Sequence, residues 1–338
     1  VNILLARRGW TRLAFALFIL AFAVGAFIWF MTGMPGKSFS SALPPLSPDE
    51  ARISADLKQN VNHLAVTIGE RNIDKYEGLG VSSRFIEEFF NSLGYSVQSQ
   101  EYQVGNRKVR NLIAELPGGS KANEIVVVGA HYDSVDSDNT PGADDNASGV
   151  AGLLELAQLL KEARPARTIR FVAFVNEEPP WFQTRNMGSL VYARAARERH
   201  DNIVAALSLE TIGMYSDVPG SQQYPEPMGL LYPDKGNFIG FVGNLSSRSL
   251  VRKAIGSFRK NTSFPSEGSA APAWLPGVGW SDHWSFWQVG YPAIMITDTA
   301  PFRNPNYHRR TDTPDTLDYD RMARVVDGLA AIVTDLGK

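Results

Sequence analysis

The chain of 338 residues contains no cysteine. That absence excludes disulfides, thiolate metal ligands, a cysteine nucleophile and a lipid-modified cysteine anchor, though it does not identify a compartment. Surplus charge is missing as well: 33 lysines and arginines stand against 35 aspartates and glutamates, a formal net charge of −2. With no basic face implied, nucleic acid is not an expected partner. No internal repeat is present, and no Gly-x-Ser-x-Gly element surrounds Ser148 or Ser285, so neither reads as a serine-hydrolase nucleophile. Long apolar runs are scarce too. The exception is Leu13 to Met31, interrupted only by Gly25. About twenty such residues cross a bilayer's hydrocarbon core.

Arg7, Arg8 and Arg12 precede that run, so the positive-inside tendency leaves residues 1–12 in the cytoplasm. An uncleaved anchor is expected over 13–34, with the remainder periplasmic or extracellular. A cleavable signal peptide is the competing reading, but its apolar region usually spans only about 7–15 residues. Trp29 and Phe30 suit the outer interface. Residues 35–48, rich in Ser, Pro and Gly, read as a linker to a domain over 49–338.

Hydrophobic residues make up 44% of the chain, enough for a substantial core. A helix is expected from about Pro48 to Ile68, where Ile53, Leu57, Val61, Leu64 and Ile68 recur at helical spacing, and another from Val81 to Leu93. Strands are expected at Tyr95–Val104, Val109–Glu115, Ile125–Val128, Thr168–Val175, Ile203–Leu209, Phe238–Val242 and Pro292–Thr297. Helices are expected over Val150–Ala163, Met187–Glu198, Ser246–Arg259 and Tyr319–Leu336. Met214 to Trp280 is otherwise rich in Pro, Gly and Ser, and long loops of that kind often line a site. Strands alternating with helices predict one α/β domain, with a central mixed, mostly parallel sheet flanked by helices.

The chain's chemistry concentrates in Gly129–Gly149, GAHYDSVDSDNTPGADDNASG, which joins a buried strand to a helix. It holds one histidine and five aspartates. Ligands favour such strand-to-helix junctions at the carboxyl edge of an α/β sheet, and hard oxygen and imidazole donors there suggest a metal site. A solvated acidic loop capping a helix is the plainer alternative for this stretch alone. However, polar residues recur at the ends of other apolar strands: Glu177 and Glu178 after IRFVAFVN, Glu210 after IVAALSL, and His308 in a loop beyond the last core strand. Their convergence on one edge is far less expected by chance than any one of them alone.

These motifs resemble the M28 family of zinc aminopeptidases over most of the soluble domain. The residues carrying the likeness are His131-Tyr132-Asp133, Gly142 to Gly149, Asn176-Glu177-Glu178, Ser208-Leu209-Glu210 and Tyr307-His308 with Asp312-Thr313 behind. The resemblance implies two zinc ions bridged by Asp145. His131 and Glu210 would complete one set of protein ligands, and Glu178 and His308 the other. Cobalt or manganese is also compatible with such nitrogen and oxygen donors. Glu177 would be the general base, and Asp133 would hold His131 from behind. The peptide from Asp145 to Asn146 would be cis. Two departures stand out. The family usually has aspartate at the position of Glu210, and here residues 179–185 (PPWFQTR) lengthen the path from Glu178 to Gly188. That loop is expected beside the metals, where it would shape the pocket.

The implied function is exopeptidase hydrolysis of peptides bearing a free amino terminus, by a hydroxide activated between two zinc ions with a glutamate base. A glutaminyl cyclase using one zinc is the nearest alternative, and a receptor-like domain without activity is a third. The intact GADDN run and the paired glutamates favour the peptidase. Asp144 reads as a helix-start group or a support behind the ligands rather than a ligand, and Ser281-Asp282-His283 as pocket wall. His63 and His200 read as surface or core filler. Neighbouring side chains on an extended strand point to opposite sides. Glu177 and Glu178 can therefore face one site only if the backbone turns beside them, as Pro179 encourages.

Overall fold

The structure is a computed structural model that describes residues 2–137 and 139–338, with backbone alone for residues 2–9 and 11. Asp138 of the acidic junction and the side chains of Arg7 and Arg8 lie outside what is described. Helix α1 (Asn2–Thr32) contains Arg12–Thr32, 21 residues apolar and long enough to cross a membrane. Helix α2 (Pro48–Asn62) opens on a capping box. Ser47 Oγ accepts from the Glu50 amide at 3.1 Å, and the Glu50 carboxylate accepts from the Ser47 amide at 2.7 Å. Proline at the first helical position loses no bond there. Ile53, Leu57 and Val61 are buried as their spacing requires, and the helix continues through a wider π-helical turn, His63–Ile68.

Helix α3 (Tyr76–Ser92) begins five residues before the apolar periodicity suggested, since Val81 is only where its regular pattern becomes visible. Strands β1 (Val97–Val104) and β2 (Arg107–Leu116) form a hairpin turning at Gly105, whose φ of +56° favours glycine. The α/β elements follow: β3 (Lys121–His131), α4 (Gly149–Leu160), β4 (Arg167–Phe174), α5 (Gly188–Glu198) and β5 (Asn202–Glu210). Then come β6 (Ile239–Asn244), α6 (Arg248–Asn261), β7 (Ser266–Ala271), α7 (His283–Gln288), β8 (Ala293–Thr297) and α8 (Tyr319–Leu336). The expected strands and long helices are all present.

All eight strands join one sheet in the order β1-β2-β4-β3-β5-β8-β6-β7. The central run β4-β3-β5-β8 is parallel, β6 and β7 pair parallel at one edge, and the remaining pairings are antiparallel. Both faces are covered, which is why the central strands read as unbroken apolar runs. Along β3, Val126, Val128 and Ala130 join the large core beneath α2, α4 and α8, while Ile125 and Val127 face the smaller core under α5 and α7. The two faces alternate along the strand with a period of two.

Two elements escaped the sequence reading. Strand β7, SEGSAA, lacks the branched residues that announce a strand. Its small residues are required by packing: a Cβ on Gly268 would lie 2.8 Å from Met34 Cγ. Helix α7 is only six residues long, too short for periodicity to show.

Candidate metal centre

The carboxyl ends of β3, β4, β5 and β8 line up because the strands are parallel and in register, so whatever follows them shares one edge. His131 is the last residue of β3 and Glu210 the last of β5, both buried. Asp145 arrives from the loop before α4, where the helical path is broken at Asp145 (φ −106°, ψ 92°) and Asn146 (φ −133°, ψ 40°). The Asp145–Asn146 peptide is cis. His131 Nε2 lies 3.3 Å from Asp145 Oδ1 and 3.3 Å from Glu210 Oε2. On the other side of Asp145, His308 Nε2 lies 3.1 Å from Oδ2 and 3.1 Å from Glu178 Oε2. Thus two groups of donors share one aspartate, and each is close-set enough to hold an ion.

Charge and unsatisfied atoms test that fit. His131 Nε2, Asp145 Oδ1, Glu178 Oε1 and His308 Nε2 are buried without a hydrogen-bond partner, which is costly in a protein interior unless something else binds them. Burial opposes a proton on His131, yet the carboxylates of Glu210 and Glu177 prevail and hold its pKa well above the ordinary value. Burial likewise opposes the proton of His308, but Asp145 and Glu178 raise it to about 10. Glu177 is pushed well up by burial and Glu178 up to about 8, whereas the two imidazoles outweigh burial at Asp145 and hold it low. The cluster is short of positive charge, and divalent cations suit this nitrogen and oxygen donor set.

Surrounding groups orient these donors. The Nδ1 of His131 lies 3.2 Å from the Asp133 backbone carbonyl. A proton on Nδ1 then leaves Nε2 free to coordinate, the usual arrangement for a ligating histidine. The Asp133 carboxylate is 3.6 Å from the same nitrogen, beyond hydrogen-bond reach. Instead it accepts the backbone N–H groups of Glu177 (3.2 Å) and Glu178 (3.1 Å). The turn that brings both glutamates to the site occurs at Asn176, whose φ is +61°, before the pair rather than at Pro179 after it. Asparagine tolerates that left-handed conformation better than most residues.

Asp312 accepts the backbone N–H groups of Asp144 and Asp145 at 2.9 and 3.1 Å. Asp144 points away from the donors, accepting from Gly213 N and Asn304 Nδ2. The longer arm of Glu210 is held by Ser281, whose hydroxyl donates to Oε2 at 2.6 Å. Asp282 and His283 are also buried, and the Asp282 carboxylate has no hydrogen-bond partner there; His283 Nε2 donates to the Val278 carbonyl. His63 packs on Phe85, 4.3 Å between ring centres, and His200 is exposed.

Arg71 is the main feature the sequence did not disclose. Fully buried, it donates to the carbonyls of Tyr132, Gly69, Pro141 and Gly142 and so clamps the two arms of the acidic loop. Its only advance notice was an arginine in a short polar stretch, which carries no pattern. Arg303 plays a similar part in the long loop region, donating to Gln222 Oε1 and to the carbonyls of Met214 and Phe238.

That loop region does border the site. A cavity of about 120 Å³ runs from Glu210 and Tyr307 between Tyr224, Tyr232, Val278 and Phe302. Its wall is almost wholly apolar. Residues 179–185 reach it indirectly, through Gln183 Nε2 donating to the Gly279 carbonyl at 3.1 Å. Pro179, Pro180 and Trp181 instead line a smaller recess beside Glu178.

Comparison with known proteins agrees with this architecture. Residues 111–333 match Peptidase family M28. The chain is 42% identical over 284 residues to Uncharacterized protein YfbL of Escherichia coli K12, covering 82% of this chain and 86% of that one. It is 27% identical over 242 residues to Probable leucine aminopeptidase 1 of Trichophyton verrucosum, covering 68% of this chain but only 58% of the fungal protein. Among solved structures, BSAP, a zinc aminopeptidase from Bacillus subtilis, superposes with a TM-score of 0.67 at 16% identity, over 84% of this chain and 95% of that one. Fimbriiglobus ruber glutaminyl cyclase gives 0.62 at 19% identity, over 89% and 98%. At those identities the likeness shows the fold alone. The family match across most of the sheet, with an acidic and imidazole cluster at the strand ends, means that this chain belongs to peptidase family M28 and is a metallopeptidase.

Proposed function

We propose that the chain is an aminopeptidase holding two zinc ions, one by His131, Asp145 and Glu210 and the other by Asp145, Glu178 and His308. The observation that carries this reading is the pair of donor groups sharing Asp145, each ending in buried atoms without hydrogen-bond partners. Zinc bound there supplies Lewis acidity and a water of lowered pKa. Glu177 is the residue left to move the proton. Among the described residues, the only cationic side chain within 4.0 Å of its carboxylate is His131, at 3.8 Å. It therefore stands beside the donors without completing either group. Its raised pKa, caused first by burial, suits a group that takes a proton from water and returns it to the leaving amine. Asp133 positions Glu177 by holding its backbone N–H, and the apolar cavity receives a substrate side chain.

The name of the fungal relative supports a free amino terminus in the substrate. We also propose that α1 spans a membrane as an uncleaved anchor, with the domain on the extracytoplasmic side. Metal content of the purified full chain, measured together with hydrolysis of a panel of aminoacyl chromogenic substrates, tests the function. Two zinc equivalents with aminoacyl hydrolysis are expected. One zinc with cyclisation of amino-terminal glutamine, and no hydrolysis, would overturn it in favour of the cyclase.

A further inference from the structure

The end of α1 is itself seated on the α/β domain, ahead of the irregular segment 33–47 that leads to α2. Ile28 and Met31 pack with Ala271 of β7 and with Leu275 and Val278 of the loop after it. From α6, Arg248 donates to the Phe30 carbonyl at 2.5 Å and lies 4.3 Å over the Phe30 ring, while Arg252 donates to the Gly33 carbonyl. Arg259 donates to the carbonyls of Pro35 and Gly36. The outer end of the apolar helix and the β7 edge of the sheet therefore lie at one level.

We propose that this β7 edge is a membrane-contacting surface that sets the mouth of the apolar cavity among the outer lipid headgroups; the proposal rests on the reading of α1 as a membrane span. Trp10 and Trp29 are exposed on α1 and 19 residues apart, about 28 Å of helix, close to the thickness of a hydrocarbon core. Tryptophan gathers at both membrane interfaces, so Trp29 marks the outer boundary. The loop after β7 presents Trp274, 80% exposed, and Trp280, 46% exposed. Trp280 also stacks on Phe302, 6.1 Å between ring centres, and a membrane interface offers an indole both apolar and polar surroundings.

Charge points to the same occupant. Helix α6 carries Arg248, Arg252, Lys253, Arg259 and Lys260 and no acidic residue. Lys253 and Lys260 are exposed, placed to meet headgroup phosphates. Of the acidic groups beside this helix, Glu267 faces Arg259 at 3.9 Å, and Asp335 of α8 accepts from Ser257 and pairs with Lys338. The same loop also walls the cavity, through Leu275, Val278 and Trp280, while Glu210 and Tyr307 close its inner end. A peptide lying on the bilayer surface thus reaches the donor groups directly. The opposite sheet edge, β1, is seven strand spacings away, about 34 Å, and stays in water.

The lack of cysteine makes the test direct. Phe18→Cys, Ala273→Cys and Ser99→Cys are each exposed positions for a single spin label in the full chain. They are reconstituted in phosphatidylcholine–phosphatidylglycerol vesicles and probed with oxygen and with a water-soluble nickel chelate. The expected result is a deep label at 18, a label at headgroup depth at 273 and an aqueous label at 99. A deep label at 18 with a label at 273 as open to nickel as that at 99 would overturn the surface proposal and leave the span intact. An aqueous label at 18 would overturn both, and the metal content of the same preparations reports separately on the enzymatic reading.

Discussion

The two donor groups that meet at Asp145 are built on different supports. His131 and Glu210 are the terminal residues of β3 and β5, fully or nearly buried, and each is gripped from behind, by the Asp133 carbonyl and the Ser281 hydroxyl. The other group relies on His308, 28% exposed, in a loop at a left-handed φ of +56° and stacked on Tyr307 at 3.9 Å between rings. A ligand at a strand end inherits the rigidity of the sheet, whereas a ligand on a loop is held only by its local contacts. The inner group should therefore bind its ion more firmly, and the outer one should exchange first.

Removing the shared residue breaks both groups together. Asp145→Asn should lose metal from each position and reduce hydrolysis to background, as metal analysis with single-turnover rates would reveal; retention of one full equivalent would mean that the aspartate is not shared. Glu177→Gln comes next. It should keep both ions and near-normal stability while kcat falls by roughly 10²–10⁴, the usual contribution of a positioned acid–base group. Loss of a metal from this variant, with Glu178→Gln retaining both, would reverse the two roles.

Chelator titration followed by metal stoichiometry sharpens the contrast between the supports. Ion loss should be biphasic, and His308→Gln should abolish the early phase only. A first phase that survives in this variant but vanishes in His131→Gln would invert the comparison. A smaller effect is expected behind the inner group, where Ser281→Ala removes one hydrogen bond to Glu210. Affinity for the more firmly held ion should drop roughly tenfold to a hundredfold, typical for such supporting partners, with the outer ion unaffected. Equal weakening of both ions would show that Ser281 acts on the fold rather than on Glu210.

The last effect is on acid stability of the wall behind the inner group. Burial lowers the His283 pKa from 6.5 to about 4, despite its bond to the Val278 carbonyl. Between those values the unfolded chain binds more proton than the folded one, so stability is full above pH 6.5 and is lost as pH falls toward 4. About 2 kcal/mol should disappear between pH 7 and pH 5 from this residue. Urea unfolding at the two pH values, compared with His283→Gln, checks it: the variant should lose less on acidification, and an identical loss would remove His283 from the account.

Local chemistry made much of this legible in the amino-acid order. Apolar runs such as Ile125–Val128 and Thr168–Val175 must be buried, and polar residues placed at their ends must share the sheet's carboxyl edge if the strands run parallel. The apolar length of α1 and the periodicity of α2 and α8 were equally local properties. Other features depend on partners distant in the chain. That Asp133 holds the Glu177 and Glu178 amides and that Arg71 ties Tyr132 to Pro141 are contacts between separate segments, with no periodic trace. Strand β7 is recognisable only from its pairing with β6 and from Met34 against Gly268. Residue types and their spacing determined which donors could meet at one edge. Only tertiary hydrogen bonding and packing decided which atoms face one another there, because a loop takes its conformation from the groups it must satisfy.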